Sequence, residues 1–150
     1  ADGRVVARRA ASLPQAAILP RTRAAYVVRF QAPEAFAHSR AALLAYSLPE
    51  EAALPVMPLT VVEESLAAEG GLVRLAGRLR HDGPVAVGDL LVIGVLYDEE
   101  DRITGLRIER PAGTLAAGET LAVDMLITPL AAGTARSLLY AEGTPVTGEL

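Results

Sequence analysis

Short apolar runs alternate with turn-forming residues along most of this chain, which is typical of a protein built from strands and turns. The clearest run extends from Leu72 to Arg80 and alternates residue by residue. Its apolar face carries Val73, Leu75, Gly77 and Leu79. Because side chains in a strand point alternately to opposite faces, a period of two predicts a half-buried β-strand.

The same reasoning predicts further strands. They comprise Thr60–Val62, Asp89–Asp98, Arg102 to about Arg110, a strand with Leu121, Val123, Met125 and Ile127 pointing inward, and Arg136–Glu142. The acidic sequence Asp98–Asp101 is predicted to form a hairpin turn. Nearer the start of the chain, Pro33–Tyr46 is rich in Ala and fits a short helix. Its last part, Ala41–Tyr46, fits a strand equally well, and the repeat described below favours the strand.

The strand at Asp89–Asp98 is apolar on both faces. One face of an antiparallel sheet is commonly in contact with water, so the second apolar face needs a cover. A partner, or a loop such as residues 48–57, would supply it. The candidate interaction residues on this strand are Leu90, Val92, Ile93, Val95 and Leu96.

An internal repeat relates the two ends of the chain. Three stretches match in order: Gly3–Val6 with Asp101–Thr104, Leu19–Arg23 with Leu115–Glu119, and Ser39–Leu44 with Ala135–Tyr140. The second match stands before Tyr26–Phe30, which resembles Val123–Ile127. The offset is 98 residues at the first match and 96 residues at the other two. The two-residue change falls in a predicted loop, where insertions are well tolerated.

The N-terminal copy has no counterpart of residues 58–98. Residues 1–54 are therefore predicted to be the second half of a sandwich, and residues 55–150 a complete domain. Half a sandwich exposes an apolar face and open strand edges, so it needs completion by an upstream segment, another subunit or a packing partner. The apolar residues expected at that contact are Tyr26, Val28 and Phe30.

Residues 71–128 carry four motifs at successive turns and strand ends. They are Leu75-Ala-Gly77-Arg-Leu79, Val95-Leu-Tyr-Asp98, Asp98-Glu-Glu-Asp-Arg-Ile103 and Leu115-Ala-Ala-Gly-Glu119. In this combination they resemble the FxLYD domain, a small immunoglobulin-like module common in exported and membrane-anchored bacterial proteins. The resemblance covers residues 60–145, with a half-copy at 1–50, and implies an immunoglobulin-like antiparallel β-sandwich.

Three positions depart from the family pattern. The family Phe is replaced by Gly94 or Val95, the hairpin Gly by Asp101, and the Pro before Gly118 by Ala117. Because the shared motifs are turn and core motifs, they imply a fold and leave the function open.

Composition narrows the classes of function. The chain is 51% hydrophobic with only 4% aromatic residues, so its core has to be aliphatic. Its net charge of −4 argues against nucleic acid as a partner, and the absence of Cys excludes disulfides and thiolate metal sites. The longest apolar run, Leu90–Tyr97, is far shorter than the roughly 20 residues of a membrane-spanning helix. The start at Ala1 without Met fits a mature or truncated product.

Few residues suggest chemistry. Asp98, Glu100 and Asp101 are candidate calcium ligands because they place several oxygen donors in one turn, although a solvated hairpin tip explains them as well. His38 and His81 stand in separate segments without the spacing of a zinc site. Ser39 follows His38, but no Gly-x-Ser-x-Gly motif is present. We therefore expect no cofactor and no enzyme activity.

Three arginines, Arg74, Arg78 and Arg80, share the polar face of the predicted strand at Leu72–Arg80. Such a ladder would suit an anionic partner. More often it pairs with acidic side chains of the neighbouring strand, for which Asp124 is the natural candidate.

These patterns favour a non-enzymatic, extracytoplasmic structural protein whose half-sandwich packs against other subunits. Strand complementation in a filament would be one form of that packing. The alternative is an extracellular adaptor or ligand-binding module, with this chain a fragment of a longer multidomain protein anchored by a segment outside this sequence. An enzyme ranks third.

Overall fold

The computed structural model describes residues 56–146 without a gap, together with residues 5, 7–15, 17, 18, 24, 26–28, 42, 47 and 49. The described residues form seven strands: β1 Met57–Pro58, β2 Thr60–Glu69, β3 Leu72–Arg80, β4 Val87–Tyr97, β5 Ile103–Glu109, β6 Thr120–Ile127 and β7 Arg136–Pro145. They contain no helix, and hence none that is long and apolar enough to cross a membrane. The predicted all-β class is confirmed.

The strands form two antiparallel sheets that face each other. One sheet has four strands in the order β1-β7-β4-β5, and the other has three in the order β2-β3-β6. The core between the sheets is aliphatic, as the scarcity of aromatic residues requires. Its fully buried members include Leu75, Leu79, Leu96 and Met125.

The two strands whose sequences alternate most clearly, β3 and β6, form where the sequence predicts them. In β3, Val73, Leu75 and Leu79 are buried and pair with β6 across the middle of the three-stranded sheet. In β6, Val123, Met125 and Ile127 are buried and Leu121 is half-buried. Period-two alternation is reliable here because one face of each strand contacts the core and the other contacts water.

Strand β2 is longer than the predicted Thr60–Val62. It continues to Glu69 and pairs with β3 along its whole length, with a register shift between Val61 and Glu63. Nearly all of its residues are exposed. Because β2 is an edge strand with little buried surface, its sequence lacks the apolar alternation by which the other strands are predicted.

Gly77 lets β2 and β7 approach β3 closely. A Cβ atom added to Gly77 would lie 2.6 Å from Leu139 Cδ2 and 2.9 Å from the carbonyl oxygen of Glu63. No side chain fits at those distances. Gly77 of the motif Leu75-Ala-Gly77-Arg-Leu79 is thus required by the close packing of β3 against Leu139 of β7 and Glu63 of β2.

An irregularity in β4 decides which of its apolar residues face the core. The register with β7 shifts between Gly88 and Leu91, and Asp89 has a left-handed φ of 46°. After the shift, Leu90, Val92 and Leu96 point into the core. The alternate positions from Leu91 point to the outside of the four-stranded sheet.

The hairpin turn predicted at Asp98–Asp101 connects β4 to β5. Asp101 stands where the FxLYD pattern has Gly, and its φ of 62° lies in the left-handed region. Asp tolerates that conformation better than most residues do.

None of the described residues before Val56 belongs to a strand or helix. The described Tyr26–Val28 therefore lie outside any strand, whereas Phe30 is not among the described residues. Both readings of the Pro33–Tyr46 region, helix and strand, also lie outside the described residues, apart from residue 42.

Candidate functional site

The outer face of the four-stranded sheet carries a second apolar cluster. Leu91, Ile93, Val95 and Tyr97 of β4 are each at most 5% exposed, although they point away from the core. Leu106 of β5 and Tyr140 of β7 pack beside them. Complete burial of an aliphatic or aromatic side chain contributes about 1.5–3 kcal/mol, so covering this face is a substantial part of the chain's stability.

The predicted interaction residues of β4 divide between two environments. Ile93 and Val95 lie on this outer face, whereas Leu90, Val92 and Leu96 are enclosed in the core between the sheets. Sequence could not separate the two sets, because every position is apolar and the register shift near Asp89 is not visible in the pattern.

Residues of the N-terminal segment, which we define as residues 1–49, lie against this outer face. Arg9–Ala11 and Val27–Val28 line a groove of about 570 Å³ together with Leu106 and Ile108 of β5. Nearby, the carbonyl oxygen of Pro14 accepts a 3.5 Å hydrogen bond from Arg110 Nη2. Of the predicted contact residues, Val28 lines the groove and Tyr26 is 44% exposed. The cover is thus supplied at least in part by the same chain.

A buried polar cluster joins the N-terminal segment to β7. The hydroxyl of Tyr140 donates a 2.6 Å hydrogen bond to Glu142 Oε2, and Glu142 is only 2% exposed. Gln15 is also buried, and its side chain hydrogen-bonds with Tyr140. Burial and the Glu142 carboxylate raise the pKa of Tyr140, and the bond with Gln15 opposes that rise only weakly. The hydroxyl therefore remains a donor well above neutral pH.

Apolar surface remains exposed where the N-terminal segment contacts the outer face of the four-stranded sheet. On the sheet it belongs to Ile103, Ile108 and Leu138, whose strand partners Tyr97, Ile93 and Val95 are outer-face residues, and beside the groove to Val27. Adjoining exposed apolar side chains on one sheet face are typical of an interaction surface.

The acidic hairpin turn is held by arginines. Burial acts to raise the pKa of Asp98, but the backbone N–H and guanidinium of Arg102, aided by the N–H of Glu100, outweigh it and lower that pKa. Asp101 accepts hydrogen bonds from Arg136, whose guanidinium also lies 3.9 Å from the centre of the Tyr97 ring. Among the described residues, no group of three or more acidic or histidine side chains is placed to hold a metal ion.

The arginine ladder of β3 pairs with neighbouring carboxylates. Arg74 Nη1 lies 2.6 Å from Asp124, as the cross-strand pattern predicts, and Arg74 Nε lies 2.6 Å from Glu69 of β2. The hydrogen bond from Arg74 lowers the pKa of Glu69. The remaining pairs of the ladder are Arg78 with Glu63 and Arg80 with Asp82. The positive charge of the ladder is therefore balanced locally.

The open edge of β2 was not predicted from the sequence. This ten-residue strand ends the three-stranded sheet, and within the described part of the chain only β3 pairs with it. Val62 and Leu66 on it are 39% and 38% exposed. Its charged residues are all acidic: Glu63, Glu64 and Glu69. The three glutamates between two predicted strands, an adjacent pair and one five residues later, were the only signal available.

The two histidines do not form a shared site among the described residues. His38 is outside them, and His81 is fully buried beside β3. Its Nε2 donates a 2.6 Å hydrogen bond to the carbonyl oxygen of Val85, which ties together the loop between β3 and β4.

The sequence matches no protein-family model, and neither a curated protein nor a solved structure matches it. The similarity to FxLYD domains therefore rests on the four sequence motifs.

Proposed function

We propose that this chain is a non-enzymatic structural protein that acts in an assembly, and that its sandwich is a platform for packing further β-structure. The apolar outer face of the four-stranded sheet is the observation that carries the proposal. A free-standing sandwich has one core, whereas this one has a second apolar surface that residues of the same chain cover only in part, since Ile103, Ile108 and Leu138 stay exposed on it. An extracytoplasmic location follows from the resemblance to a module common in exported proteins.

The arrangement of charged groups supports the same proposal. Several carboxylates and guanidinium groups of the described residues pair across strands and turns, as with Arg74 and Asp124 or Arg102 and Asp98. Catalytic sites instead bring titratable groups together in a concave pocket, where a substrate meets several of them at once.

Sedimentation velocity across a wide range of protein concentration tests the proposal. We expect species larger than the monomer, with a share that rises with concentration, because the exposed apolar surface beside the outer face favours association. A stable, well-folded monomer at every concentration would contradict an assembly role.

The groove between the N-terminal segment and β5 favours a second candidate function. Its lining places the apolar Val27, Leu106 and Ile108 beside Arg9, which suits an extended ligand with apolar side chains, as in an extracellular adaptor or binding module. A monomer whose Leu106 and Ile108 amide NMR signals shift saturably with an apolar peptide would support this candidate over the assembly role.

A further inference from the structure

The open edge of β2 is long and mostly regular. The strand has ten residues, and after the register shift beside Val61 it pairs with β3 at every residue from Glu63 to Glu69. Within the described part of the chain only β3 pairs with it, and the residues from Val62 to Glu69 are all exposed. Natural edge strands are usually protected by short length, lysines, prolines or bulges. β2 contains no lysine or proline, and the register shift lies near one end, so residues 63–69 are open to a further strand.

Each of the three glutamates of β2 already has a partner in the same chain. The pairs are Glu63 with Arg78 at 3.4 Å, Glu64 with Ser137, and Glu69 with Arg74 at 2.6 Å. Two of the three carboxylates therefore stand beside a guanidinium group, which reduces both the attraction of the edge for a basic strand and its repulsion of a second acidic one. What a partner strand has to match is consequently the order of small and apolar side chains along β2.

The exposed apolar side chains of this edge lie on the side of β2 that faces the core. Leu66 pairs with the fully buried Leu75 of β3, which places Leu66 on that side. Val62 stands four residues earlier and lies on the same side, because side chains alternate along a strand. The two side chains are 38% and 39% exposed. A strand added at the edge would cover both of them.

We propose that the β2 edges of two copies of this chain pair antiparallel around a twofold axis at Ser65, which joins their three-stranded sheets into one sheet with three strands from each copy. This inference rests on the proposed assembly function and names a contact through which it would operate. Backbone hydrogen bonds between the two edges would provide affinity. Because both copies contribute the same surface, the contact closes at a dimer. The outer face of the four-stranded sheet belongs to the other layer and stays available for further packing.

The side chains of β2 are complementary to themselves when Ser65 lies on the axis. Ser65 then meets its own equivalent, and the other pairs between the copies are Glu63 with Ala67, Glu64 with Leu66 and Val62 with Ala68. The two Leu66 side chains become diagonal neighbours on the core side, and no glutamate stands directly opposite another. Moving the axis to Glu64 would place Glu64 opposite itself, and moving it to Leu66 would place Glu63 opposite Glu69. Like charges directly opposite each other are destabilising, so the axis at Ser65 is favoured.

Charge substitutions at Ser65 test the contact by sedimentation velocity. Ser65 is exposed and pairs with Ala76, so neither substitution faces a charged residue of its own chain directly. We expect Ser65→Arg and Ser65→Glu each to associate about tenfold more weakly than the unmodified chain, because two like charges face each other across the axis. An equimolar mixture of the two variants should associate at least as strongly as the unmodified chain, because opposite charges then meet. Equal thermal melting of the two variants shows that the sandwich is intact.

Disulfide formation tests the register, because the chain contains no Cys of its own. In the proposed dimer the two residues at position 65 are direct neighbours, whereas the two at position 67 stand four residues apart along the strands, about 13 Å, which a disulfide does not span. Ala67→Cys is therefore the matched control for Ser65→Cys, since Ala67 is exposed on the same side of the same strand. Under mild oxidation we expect Ser65→Cys to form a covalent dimer about a hundredfold faster than Ala67→Cys does.

The outcomes separate this inference from the proposed function. If the unmodified chain assembles and both charge variants associate as strongly as it does, the β2 contact is wrong and the assembly function stands. Weakened association that mixing the two variants does not restore rejects the meeting of Ser65 with its own equivalent. Equal rates of disulfide formation for Ser65→Cys and Ala67→Cys reject it as well. If the unmodified chain stays monomeric at all concentrations, both proposals fail.

Discussion

At the scale of single residues, Asp98 organises the turn between β4 and β5. Its Oδ1 accepts hydrogen bonds from the backbone N–H groups of Glu100 and Arg102, at 3.0 and 2.8 Å, and its Oδ2 accepts one from Arg102 Nε at 2.7 Å. These bonds require the ionised carboxylate or a group of similar shape. The lowered pKa of Asp98 means that the folded state favours the ionised form.

Replacing Asp98 tests this assignment. We expect Asp98→Ala to lower the melting temperature at neutral pH by several degrees, and Asp98→Asn to lower it less, because its amide oxygen still accepts the backbone bonds. Melting followed by circular dichroism measures both effects. Glu99→Ala, in the same exposed turn, is the control and should change little.

The same carboxylate predicts a pH dependence. A carboxyl group whose folded-state pKa is lowered stabilises the fold above its unfolded pKa of about 3.9, and that contribution is lost as the pH falls further. The unmodified chain should therefore lose stability below about pH 4 more steeply than Asp98→Ala does. Equal acid sensitivity of the two proteins would contradict the role assigned to Asp98.

At the scale of elements, the contact of β3 with β2 and β7 depends on Gly77. We expect Gly77→Ala to cost about 1–3 kcal/mol of unfolding free energy, because the carbonyl of Glu63 is fixed by strand pairing and cannot move away. Gly94→Ala is the matched comparison, since its added Cβ would meet only side-chain ends, those of Leu75, Met125 and Ile127. Urea denaturation of both variants measures the difference. A larger loss for Gly94→Ala would contradict this reasoning.

The predictability of each element follows from how much of it is buried. β3 and β6 have one face in the core and one in water, so their alternation predicted both the strands and their inward residues. β2 has almost no buried face, and its extension to Glu69 left no apolar signal. For β4 the sequence predicted two apolar faces. It could not predict which residues lie on each face, because that depends on the register shift at Asp89, whose left-handed φ leaves no mark in an apolar run.

At the scale of the whole molecule, the surplus apolar face of β4 predicted that something covers the sheet. The cover proposed from sequence was a partner or residues 48–57, whereas the described residues against that face come from Arg9–Gln15 and Val27–Val28. Gln15 and Glu142 gave no signal, because a polar residue in a predicted loop or strand end is expected to be exposed. Their burial depends on contacts between distant parts of the chain, which no local pattern reports.

The Tyr140 cluster predicts how firmly the N-terminal segment is held. Tyr140→Phe removes the hydroxyl that hydrogen-bonds with both Gln15 and the buried Glu142, and the loss of a hydrogen bond to a charged group costs about 1.5–3 kcal/mol. Because this loss belongs to the contact between segment and sheet, amide hydrogen exchange near Gln15 should become about tenfold faster while that of β3 stays unchanged. Tyr97→Phe is the control, since Tyr97 lies on the same sheet face and the substitution keeps its ring beneath Arg136. Equal exchange in the two variants would mean that apolar packing alone, rather than the polar cluster, seats the segment on the sheet.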